Sequence, residues 1–319
     1  MVFRPPFDRW ISALFFTTNS APNEYYIENS TGIIYYYPSV PLEQWTEDPS
    51  VSVGDVGVTL DGTNHITLEG IIIAHAKDTG ISAERVSDVL ISNCTVFGHG
   101  ANGVTIDDAF RSGIIDSHVY DVGCIGVTLS GGNHTTLDPG LNFALRNRIH
   151  HSEFTSNRSA IAPRGLWGDS DRLRVLAVAN FKRTYQPGLH WSGVNNTMSH
   201  NYISDGPHNC ILGGGNEGPG ANNLFEYNTL DKCSYESSDT GAFYTCGQMA
   251  NAFVNRGNEL RHSLFKNIRN TEGSGVQGIT IQVRFGVSML NSLEECSASC
   301  VWPNMVLGSS SGHSWRCNL

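Results

Sequence analysis

A repeat with a period of 23 residues constrains this chain more than any other feature. HITLEGIIIAHAKDTGISA from His65, DVLISNCTVFGHGANGVTI from Asp88 and SGIIDSHVYDVGCIGVTL from Ser112 align beneath one another. Ile73, Val96 and Val119 fall 23 apart, as do Gly80, Gly103 and Gly126, and Ile81, Val104 and Val127. Three independent columns with one period mark a solenoid, whose units bury their apolar faces only by stacking on their neighbours.

Within each unit, runs such as Val104–Thr105–Ile106 and Val127–Thr128–Leu129 alternate apolar and polar residues, the period of a short, half-buried strand. Coils holding two or three such strands, stacked at the ~4.8 Å strand spacing, predict an all-β fold, a right-handed parallel β-helix. The glycine before each run predicts a bend with positive φ or a close backbone approach. Asn147–Arg148–Ile149, Asn201–Tyr202–Ile203 and Asn228–Thr229–Leu230 repeat the Asn93-to-Val96 region, and Ser263–Leu264–Phe265 repeats it with serine. Asparagines at equivalent turns are expected to form a ladder, each amide bonding the next rung. No helical stripe at i, i+3, i+4 persists along the chain.

Two stretches leave the pattern. Asn23 to Pro41 reads as a β-hairpin turning at Ser30–Thr31–Gly32, and is expected to cap the N-terminal end of the solenoid. Residues 152–182 read as an insertion whose piece SDRLRVLAVANFKR is either a short helix or a loop. The expected organisation is an N-terminal segment with the hairpin cap over residues 1–60 and the β-helix over 61–319.

Thirty Asp and Glu against twenty Lys and Arg give a formal charge of −10, which excludes nucleic acid as the main partner and favours a neutral or weakly charged ligand. No run of eighteen apolar residues exists to span a bilayer. The first twenty residues make a poor signal peptide, because Pro5, Pro6, Asp8 and Arg9 precede the apolar patch at Ile11 to Phe16. Eight cysteines without zinc spacing read as buried thiols, with Cys296–Cys300 and Cys233–Cys246 open to pairing. Sequons at Asn29, Asn93, Asn133, Asn157 and Asn195 suit a secreted chain. Asp107 and Asp108 supply too few oxygens for calcium, and no motif calls for a metal or cofactor.

The segments EYYIENSTGIIYYYP, YISDGPHNCILGGGN, YESSDTGAFYT and RGNELRHSLFKNI resemble those of right-handed β-helix proteins in the pectate-lyase-like superfamily, over about Glu24 to Ile279. The SDTGA segment is also similar to one in β-helix glycoside hydrolases of families 120 and 141, which include β-xylosidase, xylanase and α-L-fucosidase activities. That resemblance implies a catalytic role for Asp239, as nucleophile, and matches Glu259 to the acid of the family 120 pattern. Around them stand Glu236, His208 and Tyr244 as expected substrate contacts, with Asp205 and His262 nearby. Trp167 and Trp191 are either sugar platforms or packing residues. A retaining glycosidase needs its two carboxyl groups about 5–5.5 Å apart and an inverting one about 6.5–9.5 Å, and neighbouring rungs supply the shorter distance directly.

The expected protein is therefore an extracellular, monomeric, carbohydrate-active β-helix acting on a polysaccharide or oligosaccharide, a glycoside hydrolase by descent. Two alternatives stand beside it. Relatives of the family 141 type carry an acidic pair where this chain has Gln282 and Val283, which favours a non-catalytic glycan-binding or structural solenoid. A polysaccharide lyase would need a cationic clamp on an acidic sugar, which the charge balance and the lack of a basic cluster in the sequence oppose.

Overall fold

The structure is a computed structural model that describes residues 25–28, 30–36, 41, 44, 50–152, 175–176, 185–214, 220–235, 240–245, 257–268, 277–281 and 288–294. The chain divides into two compact units, residues 1–53 with 155–178, and residues 54–154 with 179–319.

The larger unit is a parallel β-helix. Its first ladder is an eight-stranded parallel sheet that runs in spatial order from Val56–Asp61 through Thr79–Glu84, Val104–Asp107, Val127–Leu129, Leu189–Trp191, Ile211–Gly213 and Gly241–Thr245 to Gln277–Ile281. A second ladder climbs from Thr67–Glu69 through Gly113–Ile115 and Leu224–Glu226, and a third from Ile72–Ala74 through His118–Val122 and Thr229–Cys233. Both reach the long strand Glu259–Lys266, whose first half extends the second ladder and whose second half extends the third, and Ser288–Glu294 pairs parallel with both halves as the next strand. The first strand of the first ladder begins at Val56.

The register follows the sequence columns. Ile73 pairs with Val96 and Val96 with Val119, while Ile81, Val104 and Val127 are successive partners in the first ladder. Their side chains are the core: Ile81, Val96, Val104, Val119 and Val127 are fully buried. Each such aliphatic side chain contributes about 1.5–3 kcal/mol relative to exposure, so every rung adds a similar increment.

The glycine column works by close approach alone. Gly80, Gly103 and Gly126 have no positive φ, but a Cβ on Gly103 would sit 2.5 Å from the Gly126 carbonyl oxygen and 2.5 Å from Val119 Cγ1. Positive φ falls instead on the bends between ladders, at side-chain-bearing residues such as Asp88, Asn93, Asp116, Arg146, His200 and Tyr227.

The asparagine ladder is present, one position away from Asn93. Asn147 Oδ1 accepts the Ser117 N–H, Asn201 Oδ1 accepts that of Asn147, Asn228 Oδ1 that of Asn201, and Ser263 Oγ that of Asn228. The matching residue in the early rung is buried Cys94, whose N–H donates to Ser117 Oγ, and Asn93 is exposed beside it. A second ladder joins Ser112, Asn142, Asn196, Asn223 and Asn258 at the bend before the second sheet ladder. Each of these asparagines also donates its amide to a backbone carbonyl, as Asn201 does to Ala144. Both polar ends of each buried amide are thereby satisfied.

In the smaller unit, Tyr25–Glu28 and Ile33–Tyr36 form the antiparallel hairpin, with Gly32 at φ 69° in its turn. The described part of the 152–182 insertion, Val175–Leu176, is neither helix nor loop but a short strand paired with Ser50–Val51. Among the described residues no helix is long and apolar enough to cross a membrane.

Candidate functional site at the third-to-first corner

Asp239 and Glu236 lie outside the described residues, and the chain on either side of them is held at one corner of the coil, where the third ladder turns into the first. Gly241–Thr245 opens there, as expected for the strand that follows Asp239. Its residue in the glycine column is Ala242, not Gly241, because Ile211 pairs with Phe243 as Ile81 pairs with Val104. Cys210 occupies the same column one rung earlier, in the position held by Gly188 and Gly126.

A buried polar network fixes this corner. Asn209 Nδ2 donates to Thr240 Oγ1 at 2.8 Å and to the Gly241 carbonyl at 2.8 Å. Ser234 Oγ donates to the His208 carbonyl at 2.7 Å and lies 3.2 Å from Thr240 Oγ1. The His208 ring is bonded through Nδ1 to Asn209 Oδ1 and packs 4.9 Å from the Tyr185 ring. His208, Asn209, Ser234 and Thr240 are all buried, so the residue directly after Asp239 has little freedom.

A disulfide crosses the same corner, joining Cys210 to Cys233 with a Cα–Cα distance of 5.6 Å. This corrects the expected pairing of Cys233 with Cys246 and the expectation of buried thiols at both positions. Cys94 and Cys124 are buried thiols, as read from the sequence, and Cys246, Cys296, Cys300 and Cys317 lie outside the described residues. The pairing is sterically ordinary: Cys210 follows Asn209, Cys233 precedes Ser234, and the two chain segments stack on adjacent rungs.

The other expected site residues are spread around the coil. Tyr244 is in the first ladder between Leu212 and Thr280, and at 3% exposure its ring is no surface platform. Asp205 stands at the same corner as His208, accepting from Ser204 Oγ at 2.8 Å, with Lys232 Nζ at 3.8 Å. Glu259 begins the second ladder, pairs with Leu224 and is salt-bridged to Arg261 at 3.0 Å. The strand Gly241–Thr245 separates it from the corner. His262 is at the bend between the second and third ladders, stacked on Tyr227 with ring centroids 5.1 Å apart. Trp191 is core: it is 1% exposed and packs edge-to-face on Phe225 at 4.8 Å, which settles its reading as packing. Trp167, Arg256, Gln282 and Val283 lie outside the described residues. Among the described residues no group of three or more His, Cys, Asp or Glu side chains is placed to hold a metal ion.

The family model described as a right handed beta helix region matches residues 18–142, and an overlapping second placement spans 48–166. No curated protein and no solved structure matches the chain. Long parallel ladders and this match together define the chain as a right-handed parallel β-helix.

Proposed function

We propose that the chain is an extracellular, carbohydrate-active β-helix whose third-to-first corner carries a glycosidase-type site with Asp239 as nucleophile. One observation carries the reading: the buried Asn209–Thr240–Ser234 network and the Cys210–Cys233 disulfide both converge on the residues flanking Asp239. A nucleophile works only when its carboxylate is held to within about half an ångström of its productive position, about 3 Å from the anomeric carbon, and a braced corner is how a solenoid supplies that rigidity. The disulfide and the exposure of the sequon residues Asn93, Asn133 and Asn195 support an oxidising, extracellular setting.

Two carboxylates compete for the role of acid. Glu259 is the residue that matches the family 120 motif, and Asp205 is the described carboxylate at the corner itself. Turnover of aryl xylosides and fucosides by the wild type, Asp239→Asn, Glu259→Gln and Asp205→Asn separates them. Loss of about a thousandfold in kcat is expected for Asp239→Asn, and a comparable loss in one of the other two identifies the acid. Equal rates for wild type and Asp239→Asn would remove the corner from the mechanism. The non-catalytic alternative is favoured by Gln282 where family 141-type relatives carry an acid, and glycan binding without product release from the wild type would select it.

A further inference from the structure

The outward face of the third ladder carries a second cluster that the corner site does not use. With Val96, Val119, Ile149 and Ile203 pointing inward, alternation puts Phe97, His118, Tyr120, Arg148, His150 and Tyr202 outward on four consecutive rungs. The rings of Phe97 and Tyr120 stack with centroids 5.0 Å apart and planes 2° apart, and those of Tyr120 and His150 at 5.3 Å and 14°. Their faces therefore cover one another and only their edges meet solvent. A sugar cannot lie flat on this stack, but it can hydrogen-bond along it.

The imidazoles supply that edge. His118 Nε2 and His150 Nε2 are 2.7 Å apart, and His150 Nδ1 is 2.5 Å from His151 Nδ1. Burial lowers the His118 pKa to about 4 and the His150 pKa to about 3, so both rings are neutral at pH 7 and offer donors and acceptors without charge.

Arg148 stands beside them, exposed, with His118 and Tyr202 as its ladder partners. Every other described Arg or Lys has a carboxylate within salt-bridge distance: Arg85 has Asp61, Arg111 has Asp88, Arg146 has Asp116, Arg261 has Glu226, and Lys77, Lys232 and Lys266 have Asp55, Asp205 and Asp231. Arg148 alone among the described cations has none. On a polar, ring-edged face, a guanidinium without a carboxylate partner presents its fork of donors to an anion from outside.

We propose that this face binds an anionic saccharide, its carboxylate or sulfate ester on the Arg148 guanidinium and its hydroxyls on the edges of His118 and Tyr120. The proposal rests on the carbohydrate reading above for the class of ligand, and not on Asp239 or the corner.

The test is titration calorimetry of the full chain with a uronic acid trisaccharide, a sulfated galactose trisaccharide and neutral xylotriose. Binding of one or both anionic sugars at least tenfold tighter than xylotriose is expected, and whichever binds more tightly names the anion. Arg148→Met should weaken that binding at least tenfold, and Arg146→Met, which removes an exposed arginine that already has a partner, should leave it unchanged. Arg148 is exposed, and a matching circular dichroism melt confirms that the variant folds. Equal affinity for charged and neutral sugars, no binding of any of the three, or wild-type binding by Arg148→Met would each overturn the proposal. Anionic binding by a wild-type protein that turns over no aryl glycoside leaves this face standing and removes only the glycosidase. Turnover without anionic binding does the reverse.

Discussion

The rungs from Thr79 to Leu129 and those from Leu189 to Thr245 are built to the same plan with different materials. In the first group the repeat is strict, the core is aliphatic, and each coil turns into the first ladder through a glycine against which the next backbone packs directly. In the second group Trp191, Phe225 and Phe243 fill the interior in edge-to-face contact, Cys210 and Ala242 replace the glycines, and a disulfide ties the corner. The interior of the early rungs leaves no room for anything but the repeat. The later rungs give up that regularity where a side chain has to do something else, and it is there that the Asp239 segment is carried.

The sharpest way to test this contrast is to exchange the column residues. Gly103→Ala drives a Cβ into the Gly126 carbonyl and Val119 and should cost about 3 kcal/mol or more, while the reciprocal Ala242→Gly should cost no more than about 1.5 kcal/mol. Urea unfolding of the two variants measures the difference, and similar losses would mean that the two regions pack alike. Next in size is the crosslink. Cys210→Ser with Cys233→Ser removes a bridge closing a 23-residue separation, for an expected loss of about 3 kcal/mol. Hydrogen exchange should place that loss in the later rungs and leave amides such as Ile81 protected.

Acid should act on the opposite region. His99 is buried, its Nδ1 accepting the Ala76 N–H at 3.0 Å and its Nε2 donating to the Ile73 carbonyl at 3.2 Å, so the fold requires the neutral ring. Burial lowers its pKa from 6.5 to about 4. Between those values the unfolded chain takes up a proton that the folded chain refuses. Stability is therefore full above about pH 6.5, falls as pH drops towards 4, and changes no further through this group below that. The expected loss from His99 is on the order of 2–3 kcal/mol, read as a shift in urea midpoint between pH 7 and pH 4.5 that His99→Gln reduces. An acid transition that begins in the later rungs, or one untouched by His99→Gln, would break the assignment.

Much of this architecture is visible in the chain itself, for a physical reason. Strand register in the early rungs is dictated by equal coil lengths, so the Ile73, Gly80 and Ile81 columns lead straight to the pairing. The asparagines at 147, 201 and 228 are readable because an apolar residue follows each at the same offset. The ladder through Asn142, Asn196, Asn223 and Asn258 carries the same signal, each residue lying about one short strand before Asn147, Asn201, Asn228 and Ser263, but no shared motif around those positions draws attention to it. Cys210 and Cys233 are separated by 23 residues, the period of the early repeat, and that spacing was the available signal for their pairing. Positive φ could not be assigned from glycine alone, because beside Gly62, Gly70 and Gly98 the bends are occupied by Asp, Asn, Arg, His and even Tyr227. The pairing of Arg148 with Tyr202 was legible in the same alignment, since each follows a ladder asparagine, whereas the stacking of Phe97, Tyr120 and His150 beside them appears only in the folded chain.

The two asparagine ladders also bear on how such a molecule can change. Because the described rungs above Ser112 are fastened to one another at their bends, through amides that bridge backbone to backbone, the stretch between two bends can lengthen without shifting what lies above or below. The hairpin at Gly132–Pro139 is such an excursion: Asn142 on its far side still accepts the Ser112 N–H across a separation of 30 residues. A solenoid stapled in this way tolerates remodelling of its rim one loop at a time, and new binding surface can be added to it without refitting the stack.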